Sequence, residues 1–149
     1  MSDKLLPSWA TPTDNPLAHA TFIISSEGAH PDTWTAFFGI FPSRTITKGK
    51  LYLLPSGRLS SRPGKLNLWA LESKAAVQSD RLEPHLRYLI ERLSLPREGL
   101  LERIEQAGAR MRFFCYWDNE NGDRVPYVSD ATRQLIESVG AVIEIDEYR

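Results

Sequence analysis

The sequence predicts a single α+β domain, a sandwich whose core is a ferredoxin-like split βαβ arrangement. Two observations predict it. Short apolar or alternating stretches bounded by glycine and proline are interleaved with stretches of helical periodicity, in the order βαββααβαβ. The first six of these elements, counting two consecutive helices as one, follow the split βαβ pattern, and a helix and a strand are appended. No internal repeat accompanies them.

Residues 1 to 17 carry Pro7, Pro12 and Pro16 and read as an irregular arm, with Leu5, Leu6 and Trp9 available to dock on the body. The domain proper spans residues 18 to 149. Its first strand is residues 20 to 25, an apolar run in AHATFIISSEG that stops at Gly28. HPDTWTAFFGI follows, with Asp32 as N-cap, Trp34, Phe37 and Phe38 at helical spacing, and Gly39 as stop. Residues 44 to 54 and 65 to 72 alternate polar with apolar positions, which predicts strands two and three, joined through Pro55, Gly57, Pro63 and Gly64.

In SDRLEPHLRYLIERL, Asp80 and Glu83 have capping-box spacing while Leu82, Leu86, Leu89 and Leu93 share one face. His85 on this helix reads as a surface residue. Pro96 opens a second helix, with Leu100, Leu101, Ile104 and Ala107 on one face before Gly108. RMRFFCYW, residues 110 to 117, is strand-like throughout. SDATRQLIESVG then places Ser129 as N-cap and Gly140 as stop, and AVIEIDEY alternates apolar with acidic residues. The acids Glu144, Asp146 and Glu147 require that one face of this last strand be wet or met by basic groups.

The chain has 149 residues, enough for one domain with a proper core. Apolar residues at 42%, charged residues at 25% and a formal net charge of -1 are values of a folded globular protein. Cys115 is the single cysteine, so neither an internal disulfide nor a cysteine zinc site is expected. With no signal-peptide pattern and no apolar run of about 20 residues, a cytoplasmic location is expected and a membrane is not.

Few motifs carry chemistry. YWDNENGD, residues 116 to 123, concentrates Asp118, Glu120 and Asp123, but against a calcium loop starting at Asp118 it has Gly122 at the fifth position and Ser129 at the twelfth. Asn121 and Gly122 form a turn pair instead. His19, His30 and His85 are far apart and lack metal-ligand spacing, so no metal is expected. Cys115, between aromatic residues, reads as a small buried apolar side chain rather than a nucleophile. Neither a nucleophile elbow nor a glycine-rich phosphate loop occurs, and no cofactor is expected.

Charge is distributed unevenly. Between Thr33 and Leu71 there is no acid, while Arg44, Lys48, Lys50, Arg58, Arg62 and Lys65 supply six bases. From Asp118 onward there are eight acids against three bases. The basic segment, beside Tyr52 and Trp69, points to a non-catalytic interaction module that binds an acidic protein or a small anion. The bland account is that these bases cover solvated strand faces or pair with the acidic last strand.

The alternative is an enzyme acting on a phosphorylated small molecule, a hydrolase or transferase using Glu27, His30 or Asp32 with Arg44, which requires those groups to share one cleft. Nucleic acid is disfavoured as a partner, because the whole chain is not basic. A free edge on strand two or on the last strand would permit a homodimer.

ATFIISSEGAHPDTWTAFFGIFPSRTITKG, LNLWALES, the paired helices and SDATRQLIESVGAVIEIDEY, taken in order, resemble the uncharacterised bacterial family catalogued as domain of unknown function 4279. The resemblance covers roughly residues 18 to 148. Phe41 to Arg44, Lys48, Gly49 and Trp69 carry it most clearly. It implies a single intracellular α+β domain and brings no activity, cofactor or catalytic residue with it.

Overall fold

The computed structural model describes residues 16–149. The expected docking of Leu5, Leu6 and Trp9 lies outside those residues. The chain forms β1 (Ala18–Ser26), α1 (Asp32–Phe38), β2 (Arg44–Ile46), β3 (Asn67–Glu72), α2 (Leu82–Arg92), α3 (Leu100–Gln106), β4 (Arg110–Asp118), α4 (Asp130–Ser138) and β5 (Val142–Tyr148). It is an α+β fold with one five-stranded sheet in the order β2-β3-β1-β4-β5. β1 pairs antiparallel with both β3 and β4, β2 antiparallel with β3, and β5 parallel with β4.

Strict alternation in the two central strands decides where the core lies. Ala18, Ala20, Phe22 and Ile24 of β1 and Met111, Phe113, Cys115 and Trp117 of β4 are buried on one face. All four helices cover that face. Trp34 and Phe38 of α1, Leu82, Leu86 and Leu89 of α2, Leu100 and Ile104 of α3 and Ile136 of α4 join the strand residues in one cluster. Burying each large side chain contributes about 1.5–3 kcal/mol, so this cluster dominates stability. Phe22 is its hub, with ring centroids 6.0 Å from Phe38, 6.2 Å from Trp69 and 5.1 Å from Phe113, all edge-on. The Trp69 indole N–H donates to Thr35 Oγ1 at 3.0 Å, which fixes α1 over β3.

The opposite face is open. Thr21, Ile23 and Ser25 of β1 and Arg112, Phe114 and Tyr116 of β4 are only partly covered there. His19 and Tyr116 stack across the strands at 4.8 Å and 3°, and Tyr148 of β5 lies 4.8 Å beyond Tyr116.

Four local expectations are corrected. The alternation over residues 44 to 54 predicts one long strand, but β2 ends at Ile46. The chain turns there, with Lys50 N–H donating to Thr47 O at 3.1 Å and Gly49 at φ 83°, a left-handed conformation that glycine adopts without strain. It then forms a separate small hairpin around a Leu53–Leu59 bridge.

Asp32 is not the N-cap of α1; that position is Pro31, and the Asp32 N–H donates to His30 Nδ1 at 3.1 Å. Asp80 and Glu83 form no capping box, because Arg81 is the N-cap of α2 and makes no side-chain cap. Glu83 instead accepts from Ser129 N–H at 2.9 Å, Ser129 Oγ at 2.8 Å and Thr132 Oγ1 at 2.6 Å, tying α2 to the start of α4. His85 is buried rather than on the surface. Its ring bridges Ser73 Oγ at 2.6 Å and Ser79 O at 2.8 Å, and Ser73 Oγ accepts the Ala20 N–H at 3.0 Å. A helical histidine is buried at low cost when both ring nitrogens are satisfied in this way.

Candidate functional site

Residues 47 to 66 leave the sheet as an excursion between β2 and β3, and its base is closely tied. Gly49 N–H donates to Gly64 O and Gly64 N–H to Lys50 O, both at 2.9 Å, and Ser60 N–H donates to Tyr52 O at 2.7 Å. Gly64 lies against β2: a Cβ there would sit 2.4 Å from Ile46 Cγ2, so only glycine allows this approach without displacement. The excursion therefore has a defined base and an exposed tip.

Two clefts flank it. One, of about 430 Å³, lies where the excursion meets the open sheet face, and Arg62, Lys65, Tyr52, Ser25, Leu68 and Arg112 are among its lining residues. The other, of about 390 Å³, runs along β2 and is lined by Ser43, Arg44, Thr45, Lys50, Tyr52 and Leu53 among others. Both volumes lie within the range of ligand sites. Tyr52 belongs to both clefts and forms the ridge between them.

The six bases read from the sequence are thus divided. Arg44 and Lys50 line the cleft along β2, and Arg62 and Lys65 line the cleft on the sheet face. Arg58 lines neither of them. Lys48 pairs with Glu27 at 3.4 Å, while its N–H donates to Asn67 Oδ1 at 2.9 Å. Among the described residues, Arg44, Lys50, Arg58, Arg62 and Lys65 have no carboxylate within salt-bridge distance.

Arg112 is the base that sequence reasoning missed. It reaches the sheet-face cleft from β4, and its guanidinium pairs with Glu144 of β5 at 2.9 Å, so the acidic last strand is met by Arg112 and not by the basic segment. Its neighbour Arg110 lines an adjoining cleft of about 410 Å³ together with Arg112, Val142 and Glu144.

A family model described as a domain of unknown function (DUF4279) matches residues 16–149. The chain belongs to the DUF4279 family. No curated protein and no solved structure matches it. The clefts and their bases lie inside the stretch that the DUF4279 model covers.

The other candidate residues of this DUF4279 domain do not line the cleft of Arg44. His30 Nδ1 lies 3.5 Å from Asp32 Oδ2 at the exposed start of α1, and Glu27 is turned to Lys48. None of the three lines the cleft that holds Arg44. Asp118, Glu120 and Asp123 border a turn in which Gly122 N–H donates to Asn119 O at 2.9 Å, and the described residues contain no group of three or more metal-ligating side chains. Burial pushes the Cys115 thiol up to about 12, which keeps it protonated and inert.

Proposed function

We propose that the protein is a non-catalytic interaction module that binds an acidic ligand, a carboxylate-rich protein segment or a small anion, with the basic segment 44–65. One observation carries this reading: five of its six bases have no carboxylate partner among the described residues, and four of the five line clefts. Charges that only solubilise have no reason to converge on concave surface, and unpaired bases beside low-dielectric walls focus a field on an incoming anion. Arg112 extends the same site from β4.

The enzymatic alternative, built on Glu27, His30, Asp32 and Arg44, gains no support from a cleft that holds Arg44 without the other three, since catalytic groups must reach one substrate. We read the antiparallel strands β2, β3, β1 and β4 as the ferredoxin-like split βαβ core, with β5 added beside β4; the pairing of β1 with both β3 and β4 supports this. A cytoplasmic setting suits the free, buried Cys115.

The test is a thermal-shift measurement with pyrophosphate, citrate and poly-L-glutamate on the wild type and on an Arg44→Gln/Arg62→Gln/Lys65→Gln variant. A ligand specific for the native state raises the midpoint by mass action. A rise with at least one probe, lost in the variant, is expected. No rise with any probe, or an equal rise in the variant, overturns the proposal.

A further inference from the structure

β2 is the last strand at its end of the sheet, and its outer edge has no strand partner among the described residues. An edge of this kind presents unpaired backbone N–H and C=O groups, which natural proteins cover, charge or shorten. β2 has only three residues and carries Arg44, which by itself would be the ordinary protection of an edge. What lies beside it is not protective. After the turn at Thr47 to Lys50, residues Lys50–Leu53 form one side of the open cleft of about 390 Å³ whose other side is Ser43–Thr45.

The Lys50–Leu53 side leaves Leu51 49% and Leu53 66% exposed, next to Arg44 and Lys50, whose charges meet no carboxylate among the described residues. Apolar side chains and unpaired bases beside a free strand edge are complementary to an extended chain that alternates apolar with acidic residues. Such a chain meets the edge with its main chain, the bases with its carboxylates and the leucines with its apolar positions.

From this juxtaposition we infer that the free edge of β2 takes up an acidic, apolar-interleaved segment of a partner protein as an added strand. This rests on the acidic-ligand reading above and names its partner. Main-chain hydrogen bonds supply affinity in this mode, and the alternating side chains supply specificity.

The experiment uses an acetylated Glu-Val-Glu-Val-Glu-Val-Glu peptide, its Glu-Val-Glu-Pro-Glu-Val-Glu analogue and the corresponding Lys-Val repeat, titrated into the full chain by calorimetry. Amide exchange of residues 43 to 47 is followed in parallel. Binding of the first peptide alone is expected, with slowed exchange at β2. Arg44→Glu should weaken it about tenfold or more, as loss of a charged contact does, and Leu51→Ser/Leu53→Ser should weaken it as well.

If the proline analogue binds equally well, strand addition is overturned while acidic recognition stands. The same holds if the peptide fails to bind and pyrophosphate still stabilises the protein. If neither peptide nor anion binds, both proposals fall.

Discussion

Replacing Glu83 by alanine should uncouple α2 from α4. The carboxylate accepts three hydrogen bonds, from Ser129 N–H, Ser129 Oγ and the fully buried Thr132 hydroxyl. Burial by itself would raise its pKa, but the Ser129 N–H, the two hydroxyls and the nearby Arg87 outweigh burial and hold it below the usual carboxylate value.

Hydrogen bonds to a charged group contribute about 1.5–3 kcal/mol each. Glu83 is only part-buried, the three bonds are not additive, and the Ser129 side chain keeps its own cap to Thr132 N–H at 3.1 Å. Together these reduce the expected cost to about 2–3 kcal/mol, which for a domain of this size lowers Tm by about 4–12 °C. Urea unfolding followed by circular dichroism, with Glu83→Gln as the shape control, measures it.

The pH dependence has a definite sign. A carboxyl whose folded pKa is depressed stabilises above its unfolded pKa, and that stability disappears as pH falls through the lower folded value. The gap between wild type and Glu83→Ala should therefore be full at neutral pH and narrow at strongly acid pH. A loss under about 0.5 kcal/mol, the size of an ordinary surface substitution, would refute the reasoning, as would a gap undiminished in acid.

Three further outcomes are expected. Burial, then Lys74 and His85, depress His19 to about 4, and burial also lowers His85, so both contribute stability that falls away as pH drops below about 6.5; replacing His19 by glutamine should flatten that part of the stability-versus-pH curve. Gly64→Ala should destabilise by about 1–3 kcal/mol through the clash with Ile46, and an Ile46→Ala background should recover much of it in a denaturant double-mutant cycle. Cys115, with its thiol pushed to about 12, should ignore a thiol reagent in the native protein at mild alkaline pH and react at once in guanidinium.

Local signals were legible where local chemistry decides the outcome. Strand-favouring residues across 110 to 117 marked β4, and Ser129 was recognisable as an N-cap because its hydroxyl accepts from Thr132 N–H within a single turn. The misreadings come from contacts distant in sequence. Glu83 has the spacing of a capping box, yet its partners lie 46 and 49 residues away on α4. The burial of His85 depends on Ser73 and Ser79 in the connection before α2. The long second strand failed because alternation does not distinguish a strand from a turn followed by a small hairpin, and Gly49 was the available clue. The basic segment was visible as a run of charge. Arg112 was not, since only the sheet order brings β4 near the excursion.

The sheet order has one more consequence. β2, where the basic segment begins, and β5, with Glu144, Asp146 and Glu147, are the two outermost strands. Four strand spacings of about 4.8 Å separate them, roughly 19 Å, which exceeds the Debye length of about 8 Å at physiological ionic strength. At that distance the acids of β5, two of which already pair with Arg112 and Arg149, do not neutralise the basic end in solution, which keeps a local positive field despite the formal net charge of -1. A charged partner would be turned toward one end before contact, so added salt should slow association more than it speeds release.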